Sequence, residues 1–422
     1  MRALAIAATG MNAQQLNVEV IANNIANAAT FGAKSARAEF ADVYANAMNG
    51  AGSNTIGIGV NLATVAQQFT QGNITTTDNP MDIAINGSGF FQVSDGVNPT
   101  MYTRNGQFKL DREGFIVNNQ RQMLMGYVAD AQGNIVPGQA RPIQLPTAGI
   151  APRATDAIDM EMNLDARAAV TLPAAGDRID FDDPATYNNA TSVTVYDALG
   201  QDVALTYYFQ KSASDQWNVY VTANGTPISA DGSGVPLPST TLQFPSTGGA
   251  PTSPAGPVAI DIPATTRPGG GDTRAIAGVQ LDLTSATQYG ATFGVTNLTQ
   301  TGYAPGQLSG ITIEANGIIM ARYSNGQSQP AGQLELANFR NPQGLQPRGG
   351  NAWSATYTSG DPVVGAAGDG NFGVLQSGAL EESNVDMTAE LVNMITVQRI
   401  YQANAQSIKT TDSVLQTIVN LR

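Results

Sequence analysis

DMTAELVNMITVQRIYQANAQSIKTTDSVLQTIVNLR, residues 386–422, is the stretch from which the rest of the chain is best read. Asp386 is a residue type that caps helices by accepting backbone N–H groups, and neither Gly nor Pro follows it up to Arg422. Leu391, Met394, Tyr401, Ile408, Leu415 and Val419 recur at spacings of three, four and seven. The segment therefore predicts a helix of roughly nine or ten turns with a narrow apolar seam. Gln398, Ala405 and Asp412 interrupt that seam.

The other end carries a matching pattern. In residues 1–29, Leu4, Met11, Val18 and Ile25 recur every seven positions, with Ala8, Gln15 and Ala22 interleaved and Gly10 as the weak point of the helix. Two readings stand at this point. Both helices pack on the protein's own body, or they pair as a coiled coil with each other and with further copies. Narrow stripes at opposite chain ends, where segments are usually disordered unless a partner ties them down, favour the second.

Composition excludes most other roles. The 422 residues are enough for two to four domains, and the chain contains neither Cys nor His. That removes thiolate chemistry, Cys/His zinc sites and the side chain best suited to proton transfer near neutral pH, so no enzyme activity, metal or cofactor is expected. Charged residues make up 13%, with 33 acidic against 20 basic and no Lys/Arg block to neutralise phosphates, which argues against nucleic acid. Asn12, Gln14, Gln15, Asn17, Glu19, Asn23, Asn24 and Asn27 break the apolar opening, so neither a cleavable signal peptide nor a membrane-inserted span is expected there.

Between the ends the chain reads as strand and loop, rich in Gly (45) and Pro (22). Residues 30–76 form a connecting segment with a Gly-rich centre at Gly50, Gly52, Gly57 and Gly59. From residue 77 to 155, Ile83-Ala84-Ile85, Phe90-Phe91-Gln92-Val93 and the hairpin-like runs 106–110 and 115–117 predict a β domain. Residues 156–299 form a second β region, with Val193 and Val195, a turn at 197–200, then Val203, Leu205, Tyr207 and Phe209 in strict alternation, continued by Trp217, Val219 and Val221. Its Gly/Pro/Thr-rich stretches 224–241 and 246–273 look too poor in apolar residues to add core and read as surface loops. Residues 300–383 return to the first character, with the Asn316-Gly317 turn between apolar runs and then Leu334-Glu335-Leu336. The expected fold class is α+β and multidomain: terminal helices forming a coiled coil (1–29 and 384–422), a mainly-β split middle domain, and an inserted mainly-β outer domain.

Isolated motifs yield to simpler readings. Gly368-Asp369-Gly370-Asn371-Phe372-Gly373 has dinucleotide-binding spacing, but neither a βαβ unit nor an immediately following helix accompanies it, so a turn-rich connection is expected. Asp182-Asp183 and Glu381-Glu382 read as solvated acids rather than catalytic pairs. Phe90, Phe91, Tyr102, Phe108, Trp217 and Trp353 read as core. For Asn23, Asn24 and Asn27 a hydrogen-bonded subunit contact and plain exposure remain equally open.

The strings Val20-Ile21-Ala22-Asn23-Asn24-Ile25-Ala26-Asn27 and Leu380-Glu381-Glu382-Ser383-Asn384-Val385-Asp386 resemble signatures of the bacterial flagellar rod and hook axial-protein family. So do Asn86-Gly87-Ser88-Gly89-Phe90-Phe91, Tyr102-Thr103-Arg104-Asn105-Gly106-Gln107-Phe108 and residues 373–379. The insertion and the run Leu336-Ala337-Asn338-Phe339-Arg340-Asn341-Pro342-Gln343-Gly344-Leu345 suggest the hook subunit. Residues 1–28, with Met11-Asn12-Ala13-Gln14-Gln15, look closer to the distal-rod pattern, which is the alternative. The resemblance implies a homopolymeric tube, its inner wall made by the terminal helices and its outer surface by the inserted domain. As a universal joint it would pass torque from basal-body rod to filament. It also implies partners: the distal rod, hook cap, hook–filament junction protein, hook-length control protein and flagellar type III export apparatus. The location would be extracellular, in the hook, reached without a cleaved signal peptide. The expected subunit-interface residues are Leu4, Met11, Val18, Asn23, Asn24, Ile25, Asn27, Leu391, Met394, Tyr401, Ile408, Leu415 and Val419.

Overall fold

The computed structural model describes residues 2–44, 57–130, 133–146, 149–171, 179–229, 235–267 and 270–420. Helix α1 spans Arg2–Ala26 and helix α2 spans Met387–Asn420, and among the described residues the elements between them are strands apart from two single 3-10 turns. Asp386 caps α2 as its position predicts: its carboxylate accepts from the amides of Thr388 (2.9 Å) and Ala389 (3.1 Å).

Two compact units divide the chain. The first comprises Met1–Thr147, Gly310–Arg322 and Ser328–Arg422; the second comprises Ala148–Ser309 and Tyr323–Gln327. In the first unit the described residues include a 12-stranded sheet whose central strand, Ser328–Asn338, pairs with Phe90–Ser94 and with Met123–Val128. Successive side chains of a strand face opposite sides, which is why adjacent aromatics serve two cores. Phe91 joins Ile83, Phe108, Leu124 and Leu334 in one, while Phe90 joins Tyr102, Phe339 and Trp353 in the other. All four sequence-predicted core aromatics here are buried, as are Trp353 and Trp217.

One close approach in this unit admits no side chain. The Ile83 amide donates to the Gly106 carbonyl at 3.0 Å, and a Cβ on Gly106 would sit 1.6 Å from the Ile83 carbonyl oxygen. Gly106→Ala is expected to destabilise the protein by at least about 2 kcal/mol, since backbone rather than a flexible side chain must move. Urea denaturation checks it, and an unchanged midpoint would refute the crowding argument.

The described parts of the connecting segment include strands. Ala36–Tyr44 and Gly57–Gln67 pair antiparallel into a long two-stranded ribbon. Gly50 and Gly52 lie outside the described residues. Gly59 has φ +130°, and a Cβ there would meet the Thr9 hydroxyl at 2.1 Å, so glycine lets the ribbon lie against α1.

Among the described residues of the second unit, two five-stranded sheets share one core. Asn189–Tyr196 and Asp202–Ala213 form the expected hairpin, with Val195 opposite Val203 and the Asp197 carboxylate holding the amides of Leu199 and Gln201 at 2.8 Å each. The reading of 246–273 as surface loop needs correction. Val258–Ile262 is a strand paired with Ile276–Asp282, and its Ile260 and Ile262 are buried in the core. Residues 224–241 likewise contribute the paired Thr226–Pro227, the start of the strand Thr240–Gln243, and Ile228 packed on the core. Alternation carries these contributions: a short strand needs an apolar residue only at every second position, which mean composition over a long Gly/Pro-rich window conceals.

Candidate subunit interface

Helices α1 and α2 lie against each other and run antiparallel. Near the start of α1, a Cβ on Gly10 would meet Asn404 Nδ2 at 3.0 Å; near its end, Asn24 Nδ2 donates to Glu390 Oε1 at 2.8 Å. Gly10, a weak point by propensity, thus sits where α2 approaches closely. Ala13, Ile21 and Asn24 are buried on α1, whereas Leu4, Met11, Val18 and Ile25 are half-buried.

The amide-bearing residues of α1 separate. Asn24 is buried and fully engaged: besides Glu390, its side chain donates to the Ala36 carbonyl (2.7 Å) and accepts from the Ala36 amide (2.8 Å). It therefore fastens α1 to both the ribbon and α2. Asn27 bonds back to Asn23 one turn earlier at 2.9 Å, and Asn23 is exposed. All three line a groove of about 600 Å³ whose apolar wall includes Leu16, Val20, Leu62, Val65 and Trp353.

Along α2 much of the apolar surface of the described side chains is exposed. Among its described side chains Val397 alone is buried, with Met394 and Ile408 half-buried. Leu391 is 47% exposed, Val392 58% and Ile395 52%, and Ile400, Tyr401, Val414 and Leu415 are exposed as well. The side chain of Val419 lies outside the described residues. The predicted seam is thus distributed over two faces: Met394 and Ile408 are partly covered, while Leu391, Tyr401 and Leu415 face away from full burial.

Where the helices meet the β body, charges are buried. Glu381 Oε1 accepts from Lys34 Nζ at 2.5 Å and from the Gly72 amide at 2.8 Å, while its Oε2 accepts from Arg104 at 3.1 Å. The reading of Glu381 as a solvated acid is therefore wrong. The strand Ala379–Glu381 pairs with Ile74–Thr76, and Glu381 is buried there, meeting cations from two other parts of the chain. Lys34 also donates to the Thr70 carbonyl (2.8 Å), and Arg104 to the Gly87 carbonyl (2.8 Å) while lying 5.4 Å from the Phe90 ring centre. Burial lowers the pKa of the Lys34 ammonium below its ordinary value, opposed by Glu381 and reinforced by Arg104. Arg104 is lowered by burial too, again against the pull of Glu381. Asn384 completes the junction, accepting from the Ser35 amide (2.7 Å) and donating to the Gln68 carbonyl (2.7 Å).

Gly87, Arg104 and Glu381, from three of the motifs that looked scattered in sequence, thus meet at one junction, and relatives align with nearly the whole chain. The chain is 40% identical over 99% of its length, and 99% of theirs, to the flagellar hook protein FlgE of Escherichia coli, and 34% identical over 98% to that of Rhizobium meliloti, covering 97% of it. The chain belongs to the flagellar hook protein family. Models of its parts agree: the flagella basal body rod protein matches residues 4–34 and the flagellar hook protein FlgE/F/G D1 domain 84–197. The flagellar basal body protein FlaE D2 domain matches 163–303, and the flagellar basal body rod FlgEFG protein C-terminal region 376–421. The crystal structure of Helicobacter pylori flagellar hook protein FlgE2 shares the fold, with a TM-score of 0.53 at 14% identity over 73% of this chain and all of that one. As a flagellar hook protein the chain is a structural part of the flagellum, and its full-length relatives favour hook over distal rod. Among the described residues, no helix is long and apolar enough to cross a membrane.

Composition had pointed away from the ionic junction of this hook protein. Lys34 and Arg104 are single cations far apart in sequence; Arg104 and Glu381 each lay in a motif already singled out, but nothing local pairs those motifs with each other or with Lys34. The Gly368–Gly373 motif, residues 368–373, closes a turn in which the Gly368 amide donates to the Gly373 carbonyl at 3.0 Å, and a strand, Val374–Ser377, follows it.

Proposed function

We propose that the chain polymerises into the tube of the hook through its terminal helices and acts there without catalysis. The observation that carries this is the uncovered apolar surface of α2, from Leu391 and Val392 through Ile395 and Ile400 to Val414. Fully burying each such side chain is worth about 1.5–3 kcal/mol, which neighbouring copies supply and the lone chain forgoes. Leu4, Met11, Val18, Asn23, Asn24, Ile25, Asn27, Leu391, Met394, Tyr401, Ile408, Leu415 and Val419 are the proposed contact set, in a coiled-coil arrangement of the helices. Residues 156–299 are read as a β domain inserted in the split β domain.

In this reading the tube bends while transmitting torque from rod to filament. Strong contacts reside in the helices; a polar, sparsely charged β surface supplies weak, exchangeable ones. The subunit reaches the cell exterior through the flagellar type III export apparatus and meets the distal rod, hook cap, hook–filament junction protein and length-control protein. Electron microscopy of the purified full-length chain under polymerising salt tests the reading. Hollow tubes are expected; chains that stay dispersed even when seeded with isolated rod–hook fragments would overturn it.

A further inference from the structure

The ionic junction has unequal charge. Lys34 follows α1, Glu381 precedes α2, and Arg104 belongs to the β body; two buried cations share one buried carboxylate. Among the described residues Glu381 is the only carboxylate within ion-pair distance of either. Arg104 Nε has no hydrogen-bond partner, so this cation is already incompletely satisfied. Removing one partner of a buried ion pair is far more costly than replacing the pair, because the remaining charge stays out of water.

We infer that Glu381 is the shared counter-ion that holds the N-terminal segment in place, so that residues 30–36 stay docked on the β body only while residues 380–386 are docked. If residues 380–386 lift away, Lys34 and Arg104 are left as two buried like charges, and Lys34 must leave for solvent. The segment that leaves with it carries the end of α1: the Gly32 amide donates to the Glu381 carbonyl, and the Ala36 backbone is held by Asn24. The converse does not hold. Loss of Lys34 alone leaves Arg104 and Glu381 as a neutral pair, so the C-terminal segment stays docked. For assembly, which rests on the proposed role of the helices, the consequence is that a subunit whose C-terminal segment has lifted away does not keep the end of α1 docked. A growing tube is spared subunits of that half-docked kind.

Hydrogen–deuterium exchange on the full-length chain, kept monomeric at low salt, reads this coupling independently of tube formation. The reporter is the peptide 20–29, whose amides at Asn27 and Ala28 bond within it, to Asn23 and Ile25. Glu381→Gln is expected to accelerate its exchange about 5- to 150-fold, the span of a typical coupling between sites. Peptide 83–94, in the β body, should keep its wild-type rate. Lys34→Met is expected to leave the C-terminal peptide 380–390 within about twofold of wild type, on the same coupling scale. The double variant Glu381→Gln with Lys34→Met should exchange more slowly at 20–29 than Glu381→Gln alone, because removing one cation relieves the repulsion; simple loss of packing would make it faster. Should Glu381→Gln unfold the body outright, the same comparison decides: a folded double variant supports the shared counter-ion, and an unfolded one overturns it. Wild-type exchange at 20–29 in Glu381→Gln overturns it as well. Failure of the wild type to form tubes would count against the proposed function and leave these exchange rates to judge the coupling.

Discussion

Deleting residues 386–422 abolishes tube formation and leaves a folded, soluble monomer: that is the expected result with the largest effect. None of the three hydrophobic cores draws a described side chain from α2, and Val397 alone among its described side chains is buried. The deletion begins after Glu381 and Asn384, so Lys34, Arg104 and the Ser35 amide keep their partners. It also removes the exposed apolar stripe itself, which lowers the tendency to associate non-specifically. What the truncated chain loses is the cover over one side of α1, including the Glu390 carboxylate that bonds Asn24. The strand Ala36–Tyr44 still holds that helix through Asn24 and Ala36. Light scattering after size exclusion, together with electron microscopy under polymerising salt, checks the result. Tubes from the truncated chain would remove the helices from the assembly mechanism; an insoluble or unfolded product would mean that α2 is part of the monomer's core.

The second large effect is expected in the other unit. Trp217 is fully buried on the strand Gln216–Ala223, its indole N–H donates to Gln288 Oε1 at 2.9 Å, and the Lys211 ammonium lies 5.7 Å from its ring centre. Trp217→Ala leaves a cavity between the two sheets and should cost about 3–5 kcal/mol. The loss reaches beyond volume. Lys211 Nζ is satisfied by the carbonyls of Ala166 (2.6 Å) and Ala168 (3.0 Å), but it would lose the aromatic face beside it, and Gln288 would lose a donor. Exchange of the amides of Leu205 and Val219 should accelerate about a hundredfold or more, as local stability falls by that amount. Trp353 fluorescence, which reports on the first unit, should be unchanged under native conditions. A cost below about 1 kcal/mol would mean that the core closes over the missing ring.

Much of the architecture was legible because its signals are local. A helix announces itself by period and cap, and Asp386 with the Gly- and Pro-free run after it needed no tertiary information. Strict alternation from Val203 to Phe209 likewise specified which face of a strand is buried, and the hairpin at 197–200 followed from its turn chemistry. The strand Val258–Ile262 escaped because Asp261 and the surrounding Gly and Pro dilute its signal, and only pairing with Ile276–Asp282 makes it a strand.

For the proposed assembly surface, the sequence by itself determined that two long helices bracket a β body and that each carries apolar residues. Tertiary structure decided which of those residues are spent inside the chain. The antiparallel pairing of α1 and α2 turns Glu390, rather than Leu391, toward Asn24, and leaves Leu391, Val392 and Ile395 uncovered. A helical period identifies a face but not what that face meets, because the rotation of one helix against another is set by contacts distant in sequence. The same holds for the ionic junction. Whether Glu381 is solvated or buried depends on Lys34 and Arg104 arriving from 347 and 277 residues away, a coincidence that only the folded backbone brings about.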